Sequence, residues 1–137
     1  MKTKIYSLML LLAACVCLSL SSCNKDEDFD YPMTTVYGVW KATDLYVDGK
    51  WVDITKYPYT KFAMSITFYE NGDYYGYGYL GTGWGTYKAS GNKITTYVDG
   101  KVYATYTINY LSDDYGDLTL LMGTETLRMK VKKQLDL

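Results

Sequence analysis

Val102-Tyr103-Ala104-Thr105-Tyr106-Thr107-Ile108-Asn109-Tyr110 is the longest unbroken alternation in the chain. Val102, Ala104, Tyr106, Ile108 and Tyr110 fall on one side, and Tyr103, Thr105, Thr107 and Asn109 on the other. Successive side chains of a strand point to opposite faces, so the stretch predicts a β-strand with one dry and one wet face. The rhythm extends both ways. Upstream, Asp99-Gly100 turns back to Lys93–Val98, Gly91-Asn92 to Trp84–Ala89, and Gly81-Thr82-Gly83 to Tyr74–Leu80. Before these, Asn71-Gly72 follows Met64, Ile66 and Phe68, which alternate with Ser65 and Thr67. Downstream, Asp113-Asp114-Tyr115-Gly116 is a turn, Leu118, Leu120 and Met122 face inward, and Gly123-Thr124 leads to Leu127, Met129 and Val131. Lys130, Lys132 and Lys133 keep the outer face of that last strand soluble.

At the other end Val39 to Val47 makes a first strand, and Lys50 to Ile54 returns after Asp48-Gly49. An Asp-Gly pair is a strong hairpin signal, because a type I′ turn needs positive φ at both central residues. Thr55-Lys56-Tyr57-Pro58-Tyr59 breaks the rhythm, since Pro58 cannot donate to a central ladder. It reads as a loop or single helical turn crossing one end of the sheet, suited to cap a barrel mouth. No stretch keeps apolar residues at helical spacing for two turns, so the class is all-β. Hairpin-length connections imply an antiparallel up-and-down meander, which must close or expose its edges. A small β-barrel of about eight strands is expected.

Gly38-Val39-Trp40, Phe68-Tyr69-Glu70-Asn71-Gly72 and Gly85-Thr86-Tyr87 running to Gly91-Asn92-Lys93-Ile94 resemble the lipocalin-like, calycin-type domains of Bacteroidetes-type lipoproteins. The likeness covers roughly Tyr37 to Lys133. It implies that Trp40 plugs the closed end of the barrel and that an arginine from the last strand, here Arg128, packs across it. Stacking a guanidinium on an indole contributes about 0.5–2 kcal/mol. Strict alternation, however, puts Arg128 on the outer face, opposite Leu127 and Met129.

The densest chemistry lies between Phe68 and Tyr87, where eight aromatic residues crowd 20 positions. Tyr75, Tyr77 and Tyr79 share one face of their strand, while Gly76 and Gly78 leave the other without side chains. Two outcomes follow. Tyr75, Tyr77, Tyr79, Trp84, Tyr87 and Tyr106 could line a barrel mouth, giving a stacking surface with hydroxyl handles for an aromatic, lipid-like or sugar ligand. The same side chains could instead fill a small barrel or cover the glycines. A cavity of roughly 300 Å³ or more would mark the first, and a broad exposed aromatic patch would mark a surface module.

Leu20-Ser21-Ser22-Cys23 resembles the lipobox of bacterial lipoproteins, which implies cleavage before Cys23 and acylation of its thiol, typically with palmitate-like chains. Lys2 and Lys4 give a positive n-region and Ile5 to Leu20 carries no charge, as a signal peptide over 1–22 requires. Residues 23–35 then form a lipidated acidic tether, 36–133 the barrel domain and 134–137 a tail. Cys-x-Lys followed by acids looks like the signal for export to the outer face of the outer membrane, so the protein is expected lipid-anchored at the cell surface.

Removing Lys2 and Lys4 leaves 12 basic against 15 acidic side chains, with no basic excess to attract nucleic acid. The chain has no histidine, and its cysteines are Cys15 and Cys17 in the signal and the acylated Cys23. That removes Ser-His-Asp and Cys-His chemistry and the usual zinc sites. The acids fall in turns; Asp113, Asp114 and Asp117 lack the spacing of a calcium loop. No catalytic residue, cofactor or metal is implied. The expected partners are the membrane through Cys23 and a small apolar or amphipathic molecule, or alternatively an envelope protein or glycan met by exposed tyrosines such as Tyr57 and Tyr103.

Overall fold

Asp48 and Asp99 adopt positive φ, 51° and 54°, each followed by a glycine at 79°. Both Asp-Gly pairs therefore form the hairpin turns that their composition demands. The computed structural model describes residues 28–134, so the expected signal peptide, Cys23 and the last three residues lie outside it. One helical turn, α1 (Met33–Val36), precedes nine strands: β1 (Gly38–Val47), β2 (Lys50–Asp53), β3 (Met64–Phe68), β4 (Asp73–Gly78), β5 (Gly83–Ser90), β6 (Lys93–Val98), β7 (Lys101–Leu111), β8 (Tyr115–Met122) and β9 (Glu125–Gln134).

All neighbours pair antiparallel in the order β9-β8-β7-β6-β5-β4-β3-β1-β2, and β9 also pairs with β1. One edge of β1 is shared, residues 38–41 pairing with β3 and residues 44–47 with β2. Eight strands thus close a barrel and β2 is a short extension, so the expected architecture is the observed one. Closure runs from Met129 opposite Leu45 to Gln134 opposite Val39. It removes the free edges that a meander would otherwise expose.

The interior is filled by Trp40, Ala42, Leu45, Phe68, Ile94, Ala104, Ile108, Leu120, Met129 and Val131, among others, all buried. One end is closed by α1, where the Trp40 indole N–H donates to the Val36 carbonyl at 2.9 Å. Lys133 lies across this plug, its Nζ 5.0 Å from the Trp40 ring centre and donating to the Thr35 carbonyl at 2.7 Å. Gly38 makes room for that lysine: its φ is +124°, and a Cβ there would touch the Lys133 stem.

Two expectations change. Arg128 does not reach Trp40. It sits outside, forked onto Asp117 at 2.8 and 3.0 Å and 5.3 Å from the Trp51 ring centre. The alternation of β9 decides this, and Lys133 takes the cationic place over Trp40. Second, the crossing after β2 is a 3-10 turn, Tyr59–Phe62, beside Leu45, Val47, Val52 and Ile54. It flanks the far end of β1 and contributes nothing to the cavity described below. Within the expected 23–35 tether, described residues touch the barrel. Phe29 is buried against the closed end, where the Asp30 N–H donates to the Gly91 carbonyl and the Gly91 N–H to the Asp28 carbonyl, both at 2.8 Å.

Candidate functional site

Glycine makes space inside this barrel. Gly76 of β4 faces Gly83 of β5, and Gly85 follows two residues later on the same inner face. The ring of Tyr74 occupies the place that a Cβ on Gly85 would need and rests against Gly76. Above it, toward the end of the barrel away from α1, nothing fills the volume that larger residues would have taken. A cavity of about 180 Å³ results. Its floor is Val36 and Trp40, its walls include Phe68, Ile94, Ile108 and Leu118, and its mouth lies at Leu80, Gly81, Thr82 and Tyr103. No lining side chain is charged.

Two bulges in β7 set which residues reach this space. Register shifts at Thr96/Tyr97 and at Ile108/Tyr110 reverse the phase at each end of the strand. Ala104, Tyr106 and Ile108 are buried as the alternation requires, but Val102 and Tyr110 turn outward, 63% and 56% exposed. Tyr103 and Leu111 turn in instead and line the cavity. Tyr103, expected on the wet face, arches over the mouth and donates its hydroxyl proton to the Leu80 carbonyl. A Cβ on Gly81 would overlap that hydroxyl.

Three phenols therefore share a largely apolar space. The Tyr103 hydroxyl is taken by Leu80. The Tyr74 hydroxyl is pushed up in pKa by burial and partly restored by its hydrogen bond with Thr96, whose own hydroxyl donates to the Ala104 carbonyl at 3.2 Å. Tyr106 is 5% exposed and, among the described residues, its hydroxyl has no hydrogen-bond partner. Burial first, then the neighbouring phenols of Tyr74 and Tyr103, hold its proton on far into the alkaline range.

The sequence-derived site residues divide accordingly. Tyr106 is inside the cavity, and Tyr77 and Trp84 border it while standing 61% exposed. Tyr87 is buried but elsewhere, its hydroxyl donating to the Tyr69 carbonyl at 2.6 Å and its ring edge-on to Phe68, so it is a packing residue. Tyr75 and Tyr79 are on the outer face, against Trp84 and Phe62 respectively. The parity of β4 explains Tyr75: Tyr74 and Gly76 point in, Tyr75 and Tyr77 point out, and Tyr79 follows in the turn beyond the strand. Tyr74 and Tyr103 are the site residues that alternation alone did not single out.

Outside, Tyr69 stacks on Trp84 at 5.6 Å and 25°, and Tyr75 packs on the same indole at 5.0 Å. These rings form an exposed aromatic patch on the outer face of β4 and β5. Neither a protein-family model nor a curated protein matches this chain.

Proposed function

We propose that the protein is a non-enzymatic, lipid-anchored barrel that holds a small, mainly apolar molecule in its interior at the cell envelope. The observation that carries this reading is the space left at Gly76 and Gly83, an uncharged cavity with one unpartnered phenol and a mouth. Close packing is the rule inside proteins, and a void of this size forfeits contacts that larger residues would supply. Its volume is below the roughly 300 Å³ of a drug-sized site. It slightly exceeds the roughly 150 Å³ at which an apolar engineered cavity takes up benzene. A molecule of that scale fits, and the chains of a membrane lipid do not.

Native mass spectrometry of the purified protein after incubation with an envelope extract tests the reading. A stoichiometric adduct, lost when Gly76→Leu fills the cavity, is the expected result, and an unmodified mass after every extract would overturn it. Anchoring is tested separately: alkynyl-palmitate feeding should label the wild type and not the Cys23→Ser variant, and protease on intact cells should reach the barrel if it is displayed outside.

The exposed Tyr69–Trp84–Tyr75 patch favours a second reading, in which the outer face of β4 and β5 contacts an envelope protein or glycan. Aromatic rings supply much contact area at low entropic cost. Under this reading Trp84→Ala abolishes binding to the partner while Gly76→Leu leaves it intact.

A further inference from the structure

We infer that Tyr106 is the recognition group of the cavity and that the ligand is a compact, uncharged molecule carrying one hydrogen-bond acceptor on an otherwise apolar body. This rests on the interior-binding reading above and deepens it. A buried hydroxyl left unsatisfied costs free energy, and in folded proteins such groups nearly always find a partner. Tyr106 is 5% exposed, has no partner among the described residues and lines the cavity wall. The other two phenols are spoken for, Tyr103 by the Leu80 carbonyl and Tyr74 by Thr96. Among the described residues Tyr106 is thus the buried phenol of the cavity wall whose proton no protein acceptor takes.

Charge narrows the class further. The lining consists of aliphatic, aromatic, methionine, glycine, serine and threonine residues with no lysine, arginine, aspartate or glutamate. Lys133, over the Trp40 ring, does not line the cavity and is bound to the Thr35 carbonyl. An ionised ligand would lose its hydration and gain no counter-charge, which is strongly unfavourable in a dry interior. A carboxylate-bearing fatty acid is excluded on both charge and size. A ketone, ester, lactone or ether of about the size of a substituted benzene meets both conditions.

Three probes of one size and shape separate the terms: acetophenone, with a carbonyl acceptor; α-methylstyrene, its hydrocarbon counterpart; and benzoate, its anion. Binding is followed by the fluorescence of the full protein and by ligand-observed NMR. We expect acetophenone to bind about five- to tenfold more tightly than α-methylstyrene, the effect of one neutral hydrogen bond. Tyr106→Phe should remove that margin and leave the α-methylstyrene affinity within about twofold. Benzoate should bind at least about a hundredfold more weakly than acetophenone. The phenylalanine variant discards only an unsatisfied hydroxyl, so it should fold with unchanged circular dichroism and no loss of thermal stability. If α-methylstyrene binds but acetophenone gains nothing from Tyr106, or benzoate binds as well, the recognition role is wrong while the cavity reading stands. If none of the three binds the wild type, the cavity reading falls and this inference with it.

Discussion

Tyr106 is held neutral by its surroundings, and that has a thermodynamic signature independent of any ligand. Its folded pKa is raised above the ordinary value of 10.0, chiefly by burial. Below pH 10 the folded and unfolded chains both keep the proton. Above it the unfolded chain releases a proton that the folded chain retains, so stability falls as pH rises. The slope approaches about 1.4 kcal/mol per pH unit for one such group. Tyr106→Phe should therefore unfold in urea less steeply with pH than the wild type between about pH 10 and pH 11, with the two proteins changing in parallel below about pH 9. Parallel behaviour throughout would mean that Tyr106 is not desolvated. That this residue faces inward was legible from the alternation around it, because Ala104 and Ile108 flank it in phase. That it lacks a partner was not, since hydrogen bonding depends on which strands lie opposite. Tyr87 illustrates the same limit: the sequence marked it as a candidate ligand-binding ring, yet the fold buries it and spends its hydroxyl on the Tyr69 carbonyl. Arg128 was read outward by parity and is outward; its pairing with Asp117 bridges β9 and β8 and needed their register, which puts Arg128 opposite Thr119.

At the level of the element, β7 carries both the success and the failure of pattern reading. Its centre obeys the period of two and its ends do not, because each bulge adds one residue and reverses the faces beyond it. No local residue signals either bulge. The mirror-image error at Val102 and Tyr103 matters most, since it moved the mouth residue to the solvent side. What the bulge achieves is a latch: Tyr103 crosses to the loop between β4 and β5 and binds the Leu80 carbonyl. That loop is glycine-rich, with Gly78 and Gly81 at φ of +105° and +119°. Gly81 could not become alanine without moving the Tyr103 hydroxyl. Tyr103→Phe should raise amide hydrogen exchange across residues 79–83 by about fivefold, the loss of one hydrogen bond of about 1 kcal/mol. Exchange at the centre of β7 should stay unchanged. Equal protection in the two proteins would show that the loop is held by its backbone alone, through bonds such as the Gly81 N–H to the Gly78 carbonyl.

Closure and the proposed anchoring meet at the scale of the whole molecule. Pairing of β1 with β9 brings the two ends of the folded chain together beside α1, where Trp40 and Lys133 form the plug. Phe29 docks at that same end through Gly91, at the turn between β5 and β6. The mouth at Leu80, Gly81 and Tyr103 is at the opposite end, about 20 Å away along a strand such as β6 at about 3.3 Å per residue. If Cys23 carries the acyl chains, six residue steps separate the anchor from Phe29, a covalent reach of at most about 20 Å. The closed end is then leashed to the bilayer and the mouth is directed away from it, so the cavity would draw its ligand from the aqueous side and not from the membrane. A chain cleaved before an acylated Cys23 would keep no other cysteine, which allows single labels at Ser90→Cys near the closed end and at Lys101→Cys near the mouth, both exposed. In vesicles with headgroup-labelled acceptor lipids, energy transfer should be clearly stronger from position 90 than from position 101. Equal transfer would mean that the barrel lies on its side or tumbles freely. Transfer stronger from position 101 would turn the mouth to the membrane and make the bilayer the source of whatever the cavity holds.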